Sequence, residues 1–453
     1  MKTWRRVKFS LKLIVGVLVF SFLIQRSTYP THLNWNAVAV LVAEHKFDYV
    51  TWTVSALFHK ATHSLFGQHH YMTEAERSDF VREYMRDVAR ARAIEAEIDT
   101  LYRRDPSTDL SHLQRQRDAL RGDLSRRQST AEAIIESQVS AVLVDAGFGV
   151  LGQLLPPVSM RFTRMPNLLV VSPRDSIQRS VELALDPLSL PERVAIEQRV
   201  ETARDVSVMI VPLGGMAIFP AMIQESDNLA WVVETFAHEW VHHYFFFFPL
   251  GWNYFIDIGG SPEALIINET VADMVGREVA EMVLARYYPE LVEGYRESLA
   301  PISPPAEIGE RTFDFGAEMG ETRINVDHIM GRIARLHAMN DALHPIDDAA
   351  IIAKNQADID ALVEKAERYM EHRRRFFVSN GLYIRRLNQA YFAFYGGYQG
   401  GIAGIGGEDP IGPAVGDIRA ASDSLPQFMA TIRTITSRAA LLAERENLLA
   451  AGG

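Results

Sequence analysis

The segment His238-Glu239-Trp240-Val241-His242 constrains this chain more than any other, because its side chains converge in one backbone conformation only. In an α-helix, side chains four positions apart lie on the same face, so both imidazoles point the same way. The preceding residues favour a helix, since apolar side chains recur every three or four positions from Leu229 to Phe236. Asp227 is suited to the N-cap. We therefore expect a helix that presents two imidazoles on one face, with Glu239 beside them.

A second element begins 26 residues after His242, at Asn268-Glu269-Thr270-Val271-Ala272-Asp273. It belongs to a helical pattern over residues 263–287, and intervening Pro and Gly residues allow the chain to turn back. A second helix then places Glu269 against the two histidines. Two His, one Glu and an open position form the ligand set of catalytic zinc, and Asp273 is placed to orient a ligating histidine. The alternative is an accidental motif beside an amphipathic helix with acidic residues.

These residues resemble the gluzincin zinc metallopeptidases, which carry H-E-x-x-H on one helix and N-E-x-x-x-D or E-x-x-x-D on the next. The resemblance covers roughly residues 165–285. It implies that Zn²⁺ is bound by His238, His242 and Glu269, and that Glu239 is the catalytic general base. It also implies a mixed β-sheet whose edge strand, at residues 214–222, precedes the active-site helix. A peptide or protein substrate would add to that strand.

The C-terminal third carries a shorter resemblance. Leu387-Asn388-Gln389-Ala390 leads to Gly396-Gly397-Tyr398 and, after a Gly-rich loop, to Leu425-Pro426-Gln427-Phe428. This order is similar to a bacterial family of predicted zinc aminopeptidases, although Gln389 stands where that family has a second Asn. Gluzincins commonly stabilise the oxyanion with a Tyr or His from outside the zinc motif. Tyr398 and Tyr395 are therefore candidate catalytic residues, and aromatic packing beside a loop is the alternative for both.

The N-terminus combines four basic residues within the first eight positions with an apolar run from Leu13 to Ile24. A cleaved signal peptide and an uncleaved transmembrane anchor both fit this pattern. The absence of a small-x-small cleavage site in residues 25–30 favours the anchor. Because positive charge precedes the run, the predicted protein is a single-pass cell-membrane protein with its catalytic domain extracytoplasmic.

The rest of the chain alternates between helical and strand patterns. Hydrophobic periodicity over residues 78–144, broken by turn residues at 105–109, predicts a coiled-coil-like helical hairpin. The hairpin is either a solvated structural element or a surface for a partner. Strands are expected at 168–171, 206–211 and 216–219, a helix at 190–203, and C-terminal helices at 322–339, 347–375 and 425–449.

These patterns predict an α+β, predominantly helical fold, with a mixed β-sheet, an active-site helix and a glutamate helix. We divide it into an anchor (1–30), a juxtamembrane segment with the hairpin (31–147), a zincin-like catalytic domain (148–300) and a helical C-terminal domain that completes the cleft (301–453). A net charge of −11 gives no basic face for nucleic acid. With no cysteine in the chain, any metal must be held by His, Asp or Glu.

The predicted function is that of a membrane-anchored zinc metallopeptidase, with aminopeptidase activity favoured over endopeptidase activity. Two alternatives remain open. One is a membrane-anchored scaffold whose zinc site is vestigial. The other is zinc-dependent hydrolysis of a non-peptide amide.

Overall fold

The computed structural model of this protein describes residues 34–66, 68–105, 107–255, 262–299, 313–399 and 405–451. The predicted anchor at residues 1–30 lies outside these ranges. Within them, no helix has the length and apolar character that crossing a membrane requires. The described chain is α+β and mostly helical, which confirms the coarse fold class.

The described strands fall between residues 149 and 224, whereas helices occur along the whole described chain. In chain order, the helices are α1 (Asn34–Leu41), α2 (Tyr49–Phe66), α3 (Glu74–Arg104), α4 (Ser111–Leu143), α5 (Leu190–Ala203), α6 (Leu229–Phe245), α7 (Pro249–Phe255), α8 (Pro262–Tyr287), α9 (Val292–Leu299), α10 (Phe315–Asp341), α11 (Ala349–Ser379), α12 (Gln389–Tyr395), α13 (Ile411–Ala420), α14 (Leu425–Ile432) and α15 (Arg438–Ala451). The strands are β1 (Gly149–Val150), β2 (Gln153–Leu154), β3 (Met160–Thr163), β4 (Asn167–Pro173), β5 (Val181–Leu185), β6 (Val206–Pro212), β7 (Gly215–Met216) and β8 (Ala221–Gln224).

Helices α3 and α4 form the expected helical hairpin. A capping box starts α3, because Thr73 Oγ1 accepts from the Glu76 amide at 3.3 Å and Glu76 Oε2 accepts from the Thr73 amide at 2.7 Å. Val81 and Val88 of α3 and Ile135 of α4 are fully buried in the same apolar core as α6 and α8. Part of the hairpin therefore supports the helices that carry the predicted ligands.

A three-stranded antiparallel sheet, in the order β5-β4-β6, is buried on both faces. Alternate residues of a strand point to opposite faces. Leu169 and Val171 accordingly pack in the core that contains α1 and α5, whereas Val170 packs in the core that contains α10, α11 and α12. The sheet thereby joins the C-terminal helices to the rest of the fold.

A second sheet has the order β3-β8-β7, with β3 parallel to β8 and β7 antiparallel at the edge. The strand expected at 216–219 ends instead at Met216. The Ile218 amide turns back to donate to the Met216 carbonyl at 2.9 Å, and the chain re-enters the sheet at Ala221. Pro220 has no amide hydrogen to donate to a ladder, so a continuous strand through it is disfavoured.

The helix expected at 425–449 is two helices, α14 and α15. They are separated by the segment Arg433-Thr434-Ile435-Thr436-Ser437, which is rich in residues that disfavour a helix interior. Ser437 Oγ accepts from the Ala440 amide at 3.3 Å and so starts the second helix. The hydrophobic periodicity continues across this break, which explains why the sequence pattern did not reveal it.

Candidate active site

Helix α6 carries the H-E-x-x-H segment and runs through the largest core. Its N-cap is Asn228, whose Oδ1 accepts from the Trp231 amide at 3.1 Å. The expected N-cap, Asp227, pairs instead with Arg92 of α3, so that prediction was wrong by one residue. Trp240, in the middle of the motif, is fully buried and donates its indole N–H to the Pro156 carbonyl at 2.9 Å. The helix is therefore fixed in rotation, with its histidine face turned towards α8.

Close approach of α6 and α8 depends on Gly276. A Cβ atom at this position would lie 3.1 Å from the Glu234 carbonyl oxygen and 3.3 Å from His238 Cβ. Both contacts are tighter than packed side chains normally allow, so a side chain here would push the helices apart. The small residue lets the histidines of α6 and Glu269 of α8 share one site.

The predicted ligand atoms meet at this helix pair. His238 Nε2 and His242 Nε2 are 3.1 Å apart, and Glu269 Oε2 lies 3.5 Å from each of them. A tetrahedral zinc site with bonds of about 2.0–2.1 Å has ligand–ligand edges of roughly 3.3–3.4 Å. The observed triangle has almost these dimensions. The three side chains are buried or nearly so, with His242 1% exposed and Glu269 3% exposed.

Two further side chains set the orientation of the imidazoles. His242 Nδ1 lies 2.8 Å from Asn268 Oδ1, and His238 Nδ1 lies 3.2 Å from Asp273 Oδ1. Because both partners are acceptors, they favour a hydrogen on each Nδ1, and the neutral form of each imidazole then presents a lone pair at Nε2. Two lone pairs and a carboxylate oxygen then face one another in a buried space. A metal ion between the three atoms would relieve their mutual repulsion. Without one, a proton on His238 does so, because hydrogen bonds to Asp273 and Glu269 raise the pKa of its imidazole well above the usual value although burial opposes this.

The donor set thus fits a bound metal ion. Glu269 Oε2 is buried and accepts no hydrogen bond from the described part of the chain, as expected of an atom reserved for a ligand bond. Although burial alone would raise it, the neighbouring histidines hold the pKa of Glu269 below its usual range, so the carboxylate is ionised. His238, His242 and Glu269 are a group that can hold a metal ion.

Glu239 lies beside this group, with its carboxylate against β7. A Cβ atom on Gly215 would lie 2.0 Å from Glu239 Oε1 and 3.0 Å from Thr235 Cγ2, so only glycine leaves room for the carboxylate. Burial, with a smaller contribution from the charge of Glu269, raises the pKa of Glu239 to about 6. A carboxylate of raised pKa at such a position is suited to accept and return a proton near neutral pH.

The two candidate tyrosines are placed differently. Tyr398 lines the same cavity as the ligand group, and burial raises its pKa well above the usual value, so its phenol remains a hydrogen-bond donor. Tyr395 is not among the residues that line this cavity. Its ring packs on Tyr391 at 4.6 Å, one helical turn earlier. Tyr254 also lines the cavity, where its ring stacks on His242 at 4.6 Å.

His243 makes a structural contact, and the phenylalanines that follow it differ in burial. His243 Nε2 lies 2.8 Å from the Ile218 carbonyl oxygen, and burial lowers the pKa of its imidazole to about 4. As a neutral donor, it holds the loop that follows β7. Phe245 is fully buried, whereas Phe246 and Phe247 are exposed.

Several residues near the site were not identified from the sequence. Asn268 directly precedes a predicted ligand, so a local signal existed. Four other residues had no signal in the local sequence, because the fold alone brings them to the cavity: Gly215, Tyr254, Arg179 and Glu182. No protein-family model, curated protein or solved structure matches the chain. The chemistry of the site therefore has to be inferred from its own geometry.

Proposed function

We propose that this protein is a zinc metallopeptidase of the gluzincin type, with Zn²⁺ held by His238, His242 and Glu269. The observation that carries the proposal is the triangle of ligand atoms with edges of 3.1, 3.5 and 3.5 Å. Glu239 lies beside this triangle and is not one of the proposed ligands. Two His and one Glu leave a position open, as in catalytic zinc sites. Imidazole with carboxylate also suits zinc better than magnesium or calcium, which prefer oxygen ligands.

When bound there, zinc supplies a Lewis acid that polarises a carbonyl and lowers the pKa of coordinated water. The carboxylate of Glu239 accepts the proton of the attacking water and passes it to the leaving amine nitrogen. The phenol of Tyr398 donates a hydrogen bond to the carbonyl oxygen as negative charge develops on it. Asn268 and Asp273 hold the ligand imidazoles in the tautomer that leaves Nε2 free.

The edge of the β3-β8-β7 sheet supplies a place for the substrate backbone. Within the described ranges, strand β7 pairs with β8 on one side only, and the residues Gly215, Met216, Ala217 and Ile218 line the cavity beside Glu239. A peptide that adds to this edge as an extended strand would lie across the site. We also propose that the N-terminal segment anchors the protein in the cell membrane, with the cleft on the extracytoplasmic side. The proposed anchor lies outside the described residues.

The test uses the zinc-loaded protein from residue 31 onward and a mixed peptide pool, with cleavage sites mapped by mass spectrometry. Wild type is expected to cut peptides, and Glu239→Gln is expected to lose turnover by several orders of magnitude while it keeps its zinc. Gln has the shape of Glu but cannot act as the base. Glu446→Gln, an exposed residue of α15, is the matched control and should behave as wild type. Full activity in Glu239→Gln would refute the assigned base, and inactivity of a folded, zinc-loaded wild type would refute the peptidase.

A further inference from the structure

Helix α2 is fixed to the rest of the fold along one side. Trp52 donates its indole N–H to Thr163 Oγ1, at the end of β3, at 3.3 Å. Lys60, two turns later, donates to Glu132 Oε2 at 2.9 Å and to Glu136 Oε1 at 2.8 Å, both on α4. Because residues eight positions apart lie on the same side of a helix, these contacts define an inner face of α2.

The inner face of α2 lies along one edge of the β3-β8-β7 sheet. Glu136 Oε1 accepts from the Met160 amide at 2.6 Å, and Glu132 Oε1 accepts from the Phe162 amide at 2.8 Å. The two carboxylates therefore cover the outer edge of β3, and Lys60 of α2 balances their charge. The proposed substrate edge, β7, is at the other side of the same sheet.

The opposite face of α2 is apolar and exposed. Its residues recur at positions i, i+4, i+7, i+8 and i+11, which form one stripe on a helix: Val50, Val54, Leu57, Phe58 and Ala61. The four larger side chains are 43–73% exposed. The stripe carries no charge, since Lys60, the only Lys, Arg, Asp or Glu in α2, belongs to the inner face. Single exposed apolar residues are common, but a continuous stripe of them marks an interaction surface.

The position of α2 in the chain indicates what covers this stripe. The apolar run of the proposed anchor ends at Ile24, and α1 begins at Asn34. The nine residues between them can span at most about 30 Å, and only residues 42–48 separate α1 from α2. An anchored chain therefore holds α2 close to the bilayer. A stripe without charge also suits lipid better than a protein partner, whose recognition uses polar and charged groups.

We propose that the apolar stripe of α2 lies in the surface of the membrane that holds the anchor. The inference rests on the anchor that forms part of the proposed function and goes beyond it. Helices of this kind are buried about 5–10 Å into the boundary between headgroups and acyl chains. Because the stripe is uncharged, its insertion does not require anionic lipid. The β7 edge then lies on the side of the sheet away from the bilayer, where substrate arrives from water.

The test uses the full, zinc-loaded chain reconstituted in vesicles of zwitterionic phosphatidylcholine. The chain has no cysteine, so one introduced Cys carries a nitroxide label at a single site. Power-saturation EPR compares collisions of the label with oxygen, which concentrates in the bilayer, and with a water-soluble nickel chelate. Labels on Val54→Cys and Phe58→Cys should collide mainly with oxygen. Two exposed controls, His59→Cys on the flank of the same helix and Glu446→Cys on α15, should collide mainly with the nickel chelate.

The outcomes separate this inference from the proposed anchor. Labels on Val54→Cys and Phe58→Cys that meet the nickel chelate as often as the label on Glu446→Cys would place the stripe in water and overturn the inference. Labels protected from both reagents would mean that a second copy or another protein covers the stripe, which also overturns it. If the chain resists an alkaline wash while its α2 labels are in water, the anchor stands and the placement of α2 falls. If the wash releases the chain, both fall.

Discussion

Substituting Gly215 by alanine tests whether the position of the Glu239 carboxylate matters for activity. The new methyl carbon would lie 2.0 Å from Glu239 Oε1 and 2.8 Å from its Cδ. To reach an ordinary contact of 3.4 Å, the carboxylate oxygen has to move by about 1.4 Å. Glu239 is not a proposed ligand, so the metal should remain.

The expected loss follows from that displacement. A misplacement of about 1 Å in a catalytic group costs about 10²-fold in rate, so kcat/KM of Gly215→Ala should fall at least about 100-fold. Peptide cleavage gives kcat/KM, and mass spectrometry of the dialysed protein gives its zinc content. Gly294→Ala is the matched control, because nothing lies within 4 Å of a Cβ atom at that position.

The two measurements together decide the interpretation. Low activity with full zinc is the predicted result. Wild-type kcat/KM in Gly215→Ala would refute the placement of Glu239 as the base against β7. If Gly215→Ala loses both its zinc and its activity, the substitution disturbs the metal ligands. That result would also contradict the proposal that Gly215 positions only the base Glu239.

Four further outcomes follow. Asn268→Ala frees the His242 imidazole and should weaken zinc binding about 10–100-fold in a chelator competition, and unchanged affinity would refute the orienting role. Removing zinc should lower the melting temperature, since a ligand at 100 times its Kd stabilises the folded state by about 2.7 kcal/mol; an identical melting curve with and without zinc contradicts a folded-state site. Gly276→Val should lower both stability and zinc content by forcing α8 off α6, as measured by thermal melting and metal analysis. Buried Glu197 pairs with Arg385 at 2.5 Å, so Glu197→Gln should cost about 3–5 kcal/mol in denaturant unfolding at neutral pH. Although burial opposes it, hydrogen bonds from Arg385 and the Ile210 amide lower the pKa of Glu197 in the folded protein. The stabilisation by this ion pair is therefore fully present above the pKa of Glu197 in the unfolded chain, and it is lost as the pH falls through the pKa in the folded protein. A cost of Glu197→Gln that does not depend on pH would contradict the pairing.

The approach of His238, His242 and Glu269 was largely predictable because the relation between the two histidines is local. Four-residue spacing on a helix fixes the relation of His238 to His242 whatever the rest of the fold does. Predicting that Glu269 lies against the two histidines required one assumption about tertiary structure, namely that the second helix turns back on the first. The same spacing rule placed Asp273 on the ligand face of that helix.

The remaining features depended on how distant elements meet. Tyr395 and Tyr398 are only three residues apart. Tyr395 packs back on its own helix, whereas Tyr398 lines the cavity. A sequence pattern does not distinguish these two placements. Glu182 lies on a strand far from the motif in sequence. The break between α14 and α15 was hidden because apolar periodicity continues through it.

The most direct test of the central claim is anomalous diffraction at the zinc absorption edge from crystals of the protein grown with one equivalent of zinc. The proposed site requires a single strong peak between His238 Nε2, His242 Nε2 and Glu269 Oε2, at about 2.0–2.2 Å from each. A peak at other residues, or no peak at this group in a protein that cleaves peptides, would contradict a zinc centre built on these three side chains.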